Sequence, residues 1–170
     1  GADWYPPIEE ATEEEYNNYL AKASRLCARN EKCEQDLRSK LFQWGISEEN
    51  GEKIIEELKK SAFINHKPYA RSFARDKLRF NHWGKKKIAY ALRSKAIEEH
   101  HIQEALEQIP QQHYDNILRE ELEKKDLSIK TPDSGERKNK LARFLLQKGF
   151  ESGKVFEFVD LRMKERDENE

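Results

Sequence analysis

The sequence predicts an all-α fold, an elongated, curved array of three tandem three-helix repeats, and three observations carry that prediction. Apolar residues recur at three- and four-residue intervals through most of the chain, the period of a helix with one buried side. The apolar set is also copied. Leu37, Leu41, Gly45, Ile46, Ile54, Ile55 and Leu58 map, 51 positions later, onto Ile88, Leu92, Ala96, Ile97, Ala105, Leu106 and Ile109. A further shift of 53 reaches Leu141, Leu145, Gly149, Phe150, Phe158 and Val159, and only Arg162 breaks the match. Finally, charged residues make up 38% of the 170-residue chain against 36% hydrophobic, and the mean hydropathy is −1.07. A chain this long buries a real core, but so much charge suits an extended shape better than a sphere. Small units of this kind cannot bury their apolar faces alone, so they stack into a quasi-one-dimensional rod.

Residues 1–11, with Pro6 and Pro7, are expected to form an extended leader. Repeat 1 takes residues 12–64. Thr12 and Glu15 have capping-box spacing, and the helix that follows to about Arg29 uses Tyr16, Tyr19, Leu20, Ala23 and Cys27. Asn30 to Lys32 break it. A helix over 34–44 buries Leu37 and Leu41 and stops at Gly45, and Ser47 caps a third that turns Ile54, Ile55 and Leu58 inward.

Repeat 2 takes residues 65–109 and is the basic core. Asn65 caps a helix to Asn81, with Pro68 tolerated in a first turn that has no intrahelical donor to lose. One hundred degrees per residue puts Tyr69, Phe73 and Phe80 together, with Ala70, Ala74 and Leu78 continuing the apolar half. After a break at His82, Trp83 and Gly84, a helix over 85–94 buries Ile88 and Leu92; a turn at Ala96 leads to one over 98–109 marked by Ile102, Ala105 and Leu106.

Repeat 3 takes residues 110–164. Pro110 opens a helix carrying Tyr114, Ile117, Leu118 and Leu122, and the segment 128–135 has the composition of an exposed loop. Asp133 and Glu136 box-cap a helix to Lys148 with Leu141 and Leu145 inward. Gly149 ends it, and Ser152 starts a last helix with Val155, Phe156, Phe158 and Val159. Residues 165–170 are expected to be a frayed acidic tail.

The formal net charge of −1 conceals a polarised arrangement: between Lys67 and Lys95 there are ten Lys or Arg residues against one acid, Asp76. Arg71, Arg75 and Arg79 form a stripe on one helix; Lys85, Lys86, Lys87, Tyr90 and Arg93 follow on the next. Charge runs usually are solvated faces that offset acids elsewhere. One-sidedness and a span of two consecutive helices favour a binding surface here. Arginine forks onto carboxylate and phosphate alike, so chemistry alone leaves acidic protein and nucleic acid both open. Tyr90 either stacks on a base or packs between repeats. Trp44 and Trp83 are expected to be inter-helix wedges.

Catalysis has little foothold. The five histidines are scattered, His100 and His101 should face different ways on a helix, and two imidazoles without a third ligand make a poor zinc site, so surface histidines and no metal are expected. No phosphate loop or nucleophile elbow is present, so no cofactor is expected, and acid pairs such as Glu48 with Glu49 sit at helix starts, where dipole compensation accounts for them. Cys27 and Cys33 are six apart without a Cys-x-x-Cys pair and are expected to be reduced structural thiols. No window approaches the ~18 apolar residues of a membrane span. A soluble, cytoplasmic monomer is expected. The chain begins with Gly1 and its one methionine is Met163, so a missing native start is also expected.

Three linked stretches resemble the RecX family, the modulators of the RecA recombinase. CEQDLRSKLFQWGI (Cys33 to Ile46) is similar to its first module, YARSFARDKLRFNHWGKKKIAYALRSKAI (Tyr69 to Ile97) to its core, and KLARFLLQKGF (Lys140 to Phe150) to its closing module, in the family's order and spacing from about Tyr19 to Val159. Cys33 stands in place of a capping Ser, Asp36 in place of Glu, Ala96 in place of Gly, and Asn65 with His66 in place of an acidic pair. Alanine at a helix end costs on the order of 1 kcal/mol if the site needs positive φ. The resemblance implies a non-enzymatic protein that lies in the groove of the RecA filament on single-stranded DNA, limits its extension and activity, and has affinity for single-stranded and double-stranded DNA. Two other classes compete. A helix-turn-helix transcription regulator would have to place the acidic helices that begin at Ser47 and Glu98 against phosphate, and a helical-repeat scaffold that binds only protein would share the same architecture.

Overall fold

Four of the described helices begin where the side chain of the preceding residue accepts from an orphan backbone donor. The computed structural model describes residues 12–28, 32–61 and 63–169; the expected leader, the expected break at Asn30 and Glu170 lie outside them. Thr12 Oγ1 accepts from Glu15 N at 3.2 Å, Ser47 Oγ from Asn50 N at 3.2 Å, Asn65 Oδ1 from Lys67 N at 3.1 Å and Asp133 Oδ1 from Glu136 N at 2.9 Å. The described helices are α1 (Glu13–Ala28), α2 (Glu34–Gln43), α3 (Glu48–Lys60), α4 (His66–Asn81), α5 (Lys85–Ser94), α6 (Glu99–Glu107), α7 (Gln111–Ser128), α8 (Ser134–Gln147) and α9 (Ser152–Glu168), and no strand occurs among the described residues. Asp133 and Glu136 make half of the expected box: Asp133 N donates to Thr131 Oγ1 instead, and Thr131 holds the Glu136 carboxylate.

The internal repeat is a repeated helix-closing turn. Gly45, Ala96 and Gly149 all take positive φ, at 79°, 59° and 96°. Two residues after α2, α5 and α8 end, the chain reverses through these positions. Ile46 N, Ile97 N and Phe150 N then reach back to Leu41 O, Leu92 O and Leu145 O at 3.2, 3.1 and 3.2 Å. In each copy the residue after the turn is buried.

Packing follows the chain. The helices α1 and α2 pack on α3, α4 packs on α5 and α6, α8 packs on α7 and α9, and α4 touches α7. Two apolar cores result. One holds Ala23, Cys27, Leu37, Leu41, Ile54, Ile55 and Leu58; the other runs through α4–α6 and α7–α9 without interruption and also takes in Cys33. Both cysteines are buried free thiols, and burial pushes the Cys27 thiol up to about 11.

Four expectations need correction. Phe80 is 69% exposed, because the buried arc of α4 centres on Ala70, Ala74 and Leu78, leaving Phe80 at its edge, about 16 Å along the axis from Tyr69. Phe156 likewise faces out of α9 beside the buried Val155. Residues 165–168 are helical, not frayed, since Arg162 and Arg166 of α9 both reach the buried Asp126 carboxylate, at 2.8 and 3.3 Å. The loop before α8 is also shorter than the segment 128–135, spanning only the residues between Ser128 and Ser134.

Candidate macromolecule-binding surface

Trp83 fixes α4 against α5. Its ring meets Phe73 edge-on at 6.5 Å, and Lys77 Nζ and Lys87 Nζ lie 5.0 and 4.7 Å from its centroid. Trp44 is a similar wedge, stacked on Tyr19 with Lys22 over its ring. On that scaffold the predicted site residues fall in three settings. Arg71 faces α6, where its guanidinium donates to Glu104 Oε1 at 2.6 Å beside Lys67. Among the described residues Arg75 has only its neighbour Asp76 at 3.5 Å, and Arg79 only the Phe80 ring; both are exposed. Arg93 forks onto Glu99 at 2.8 and 2.5 Å, and these bonds, with Gln103, hold that carboxyl down at about 2.

The first turn of α5 is engaged by its backbone. Lys85 N donates to Tyr114 Oη at 3.0 Å and Lys86 N to Gly149 O at 2.9 Å, while the exposed Lys86 side chain has no ion-pair partner among the described residues. Tyr90 is 73% exposed, so it does not pack between repeats. It stands with Lys87 at a groove of about 600 Å³ between α2 and α5, lined also by Asp36, Trp83, Ser94 and Lys95. There Asp36 accepts from Lys95 Nζ at 2.9 Å and Tyr69 Oη at 3.2 Å. Burial raises the Asp36 carboxyl, but the bonds from Lys95 and Cys33 outweigh it and leave the group below the usual carboxylate range.

Residues 65–106 match the family model for "RecX, second three-helix domain" and residues 113–159 that for "RecX, third three-helix domain". The regulatory protein RecX of Prosthecochloris aestuarii is 30% identical over 129 residues, covering 74% of this chain and 81% of that protein. The chain belongs to the RecX family. Regulatory protein RecX of Clostridium perfringens strain 13 is 33% identical over 82% of this chain and 66% of its own length, and that of Clostridium botulinum Eklund 17B is 35% identical over 75% and 60%. The chain thus spans less than two thirds of these clostridial relatives. A crystal structure of regulatory protein RecX superposes with a TM-score of 0.72 at 25% identity, covering 89% of this chain and 79% of that one. The nine helices of the described residues are therefore a RecX fold, and no described helix is long and apolar enough to cross a membrane.

Within this RecX chain, sequence reasoning missed the buried charges. Asp126 and Arg137 pair at 2.7 Å, and Arg137 also donates to three carbonyls, of Asp126, Ile129 and Thr131. The signal was present: Asp126 continues the four-residue spacing of Tyr114, Leu118 and Leu122, and Arg137 that of Leu141 and Leu145. Arg162, the mismatch in the repeat, also reaches Asp126, at 2.8 Å. The histidine expectation holds for His100 and His113, which are exposed, and fails for His66 and His82. His66 Nδ1 lies 2.7 Å from Glu98 Oε2 because the first turns of α4 and α6 abut, and His82 is tied to the buried Glu121. His100 and His101 share a side after all, ring centroids 4.0 Å apart, since neighbouring side chains can fold toward each other from the mouth of a helix. Among the described residues no three His, Cys, Asp or Glu side chains gather as a metal site.

Proposed function

We propose that this chain is a RecX-type regulator that binds the RecA recombinase filament, in its helical groove on single-stranded DNA, and inhibits filament extension, strand exchange and ATP turnover. It acts as a cytoplasmic monomer without cofactor or catalysis. The names of its relatives support regulation. The observation that carries the reading is that α4 and α5 leave Arg75, Arg79, Lys86 and Tyr90 exposed, on a scaffold locked by Trp83 and buried against the following three helices. An unsatisfied cationic face speeds docking on an anionic partner and fixes its orientation. A row of stacked helical units touches successive protomers of a helical filament and so limits its extension.

Arg71 is a poor probe of this surface, because Arg71→Glu would set two carboxylates together at Glu104. The test uses Arg75→Glu, Arg79→Glu and Tyr90→Ala together. The triple variant keeps its helicity by circular dichroism and loses inhibition of recombinase strand exchange and ATPase. Inhibition undiminished at moderate salt would remove the surface from the mechanism.

A further inference from the structure

We infer that the groove between α2 and α5 is an anchor site for a protein partner, taking one aliphatic or aromatic side chain of an acidic segment and so tying the first three-helix unit to the second. The inference rests on the filament reading, in which a recombinase protomer supplies that segment. The groove, about 600 Å³, lies in the range of roughly 300–1,000 Å³ found for sites that enclose a small ligand or a few side chains. One wall is α5 with the Trp83 that precedes it, where Trp83, Tyr90 and Ala91 supply apolar surface; the other is α2, with Gln35 and Ser39.

No buried polar group of the groove lacks a partner among the described residues. Asp36 accepts from Lys95 and Tyr69, and Ser94 Oγ donates to Tyr90 O at 2.9 Å. The two buried side-chain nitrogens without a partner, His66 Nε2 and His101 Nδ1, lie elsewhere. No such group waits to orient a polar small molecule. What remains is apolar surface and one charge. Tyr90 is 73% exposed, and the exposed Lys87 has no ion-pair partner among the described residues, its Nζ resting over the Trp83 ring. Aromatic surface beside an unpaired ammonium suits an apolar anchor flanked by a carboxylate, and buried aromatic or aliphatic anchors carry most of the binding energy at protein interfaces.

The placement of charge favours protein over nucleic acid. The unpaired cation stands on the α5 wall alone. The α2 wall offers two neutral side chains and the Asp36 carboxylate, and Lys95 is held by that carboxylate. A strand stacked on Tyr90 would carry repeating phosphates past Asp36, whereas a segment with a single carboxylate reaches Lys87 and keeps clear of it.

The experiment fills the groove without altering charge. Ser39→Trp does so from an exposed position of α2 and Ala91→Trp from the opposite wall, with circular dichroism and urea unfolding to check that each folds. The readouts are the concentration of full chain that half-inhibits recombinase ATP turnover on single-stranded DNA, and binding of a fluorescent oligo-dT without recombinase. Each variant is expected to raise the half-inhibitory concentration about 30-fold or more, the loss of one anchoring side chain, and to change oligo-dT binding less than about twofold. Lys87→Gln, which keeps a stem over Trp83, is expected to raise that concentration about three- to tenfold and to flatten its salt dependence. Bound filament should slow amide exchange in α2 and α5 together. The inference falls if a folded groove-filled variant inhibits as well as the wild type, if Lys87→Gln changes nothing, or if protection is confined to α5. It falls equally if oligo-dT binding drops as far as inhibition does, the result expected of a base stacked on Tyr90. A wild-type chain that does not inhibit the filament sinks the filament reading, whereas full inhibition by wild type and groove-filled variants alike sinks this inference alone.

Discussion

The two joints between successive three-helix units are built from equivalent parts and behave as opposites. In each, the start of the second helix of one unit meets the turn that closes the second helix of the next. At the later joint the start of α5 meets the turn after α8: Gly84 N donates to Lys148 O at 2.7 Å and Lys86 N to Gly149 O at 2.9 Å. Backbone touches backbone there. A Cβ at Gly84 would lie 2.2 Å from the carbonyl carbon of Gly149, and one at Gly149 would lie 2.3 Å from Lys87 Cβ. At the earlier joint the repeat register puts Cys33 where the later one has Gly84 and Ala96 where it has Gly149. Both carry a Cβ, so side chains bridge instead, with Lys95 and Tyr69 converging on Asp36. The consequence reaches the core: α4–α9 share one apolar cluster, and α1–α3 keep their own apart from Cys33. Two glycines separate a joint closed backbone to backbone from one bridged by side chains at a single carboxylate.

The largest test of that contrast is Gly84→Ala. The atoms in the way are backbone, so the α5–α8 contact must open, and a loss of about 3 kcal/mol or more is expected in urea unfolding. Loss under about 1 kcal/mol would mean the later joint is not locked.

Asp36→Asn comes next and should act on one side only. The bridged carboxylate is partly exposed, so the cost is about 1–2 kcal/mol, seen as faster amide exchange in α1–α3 with α7–α9 unchanged. Acid should mimic it. The folded group lies below its ordinary value, so its contribution is complete above about pH 4 and is lost as the pH falls through the folded pKa. Equal acceleration in α7–α9 on substitution would show the joints to be coupled.

Much of this was legible before the fold was known, because the signals are local. The copied set Leu37 to Leu58 and its two images mark buried positions in all three units, and the Gly45, Ala96 and Gly149 register marks a shared turn. For the surface, a period of four along Arg71, Arg75 and Arg79 is enough to place them outside the apolar arc. What periodicity does not carry is the neighbour of each exposed side chain. Arg71 and Arg93 turn out paired to Glu104 and Glu99, acids that lie 33 and 6 positions away, whereas Arg75 and Tyr90 stay open. Gly84 meeting Gly149 was hidden for the same reason: helix-end glycine has a local explanation, and only the register between units shows that both lie at one contact.

The smallest expected effect is the sharpest test of the register. Ala96 holds φ at 59°, where its equivalents are glycine. A left-handed residue with a Cβ costs about 1–2 kcal/mol, and glycine gives back about 0.5–1 kcal/mol through its freer unfolded chain, so Ala96→Gly should stabilise by about 0.5–1 kcal/mol. The gain belongs to the turn and should appear in the global unfolding free energy. It should not close the earlier joint, because the Cβ of Cys33 remains on the facing helix start, so amide exchange in α1–α3 should slow by no more than the global gain. Extra protection confined to α1–α3 would mean that Ala96 alone keeps the two backbones apart.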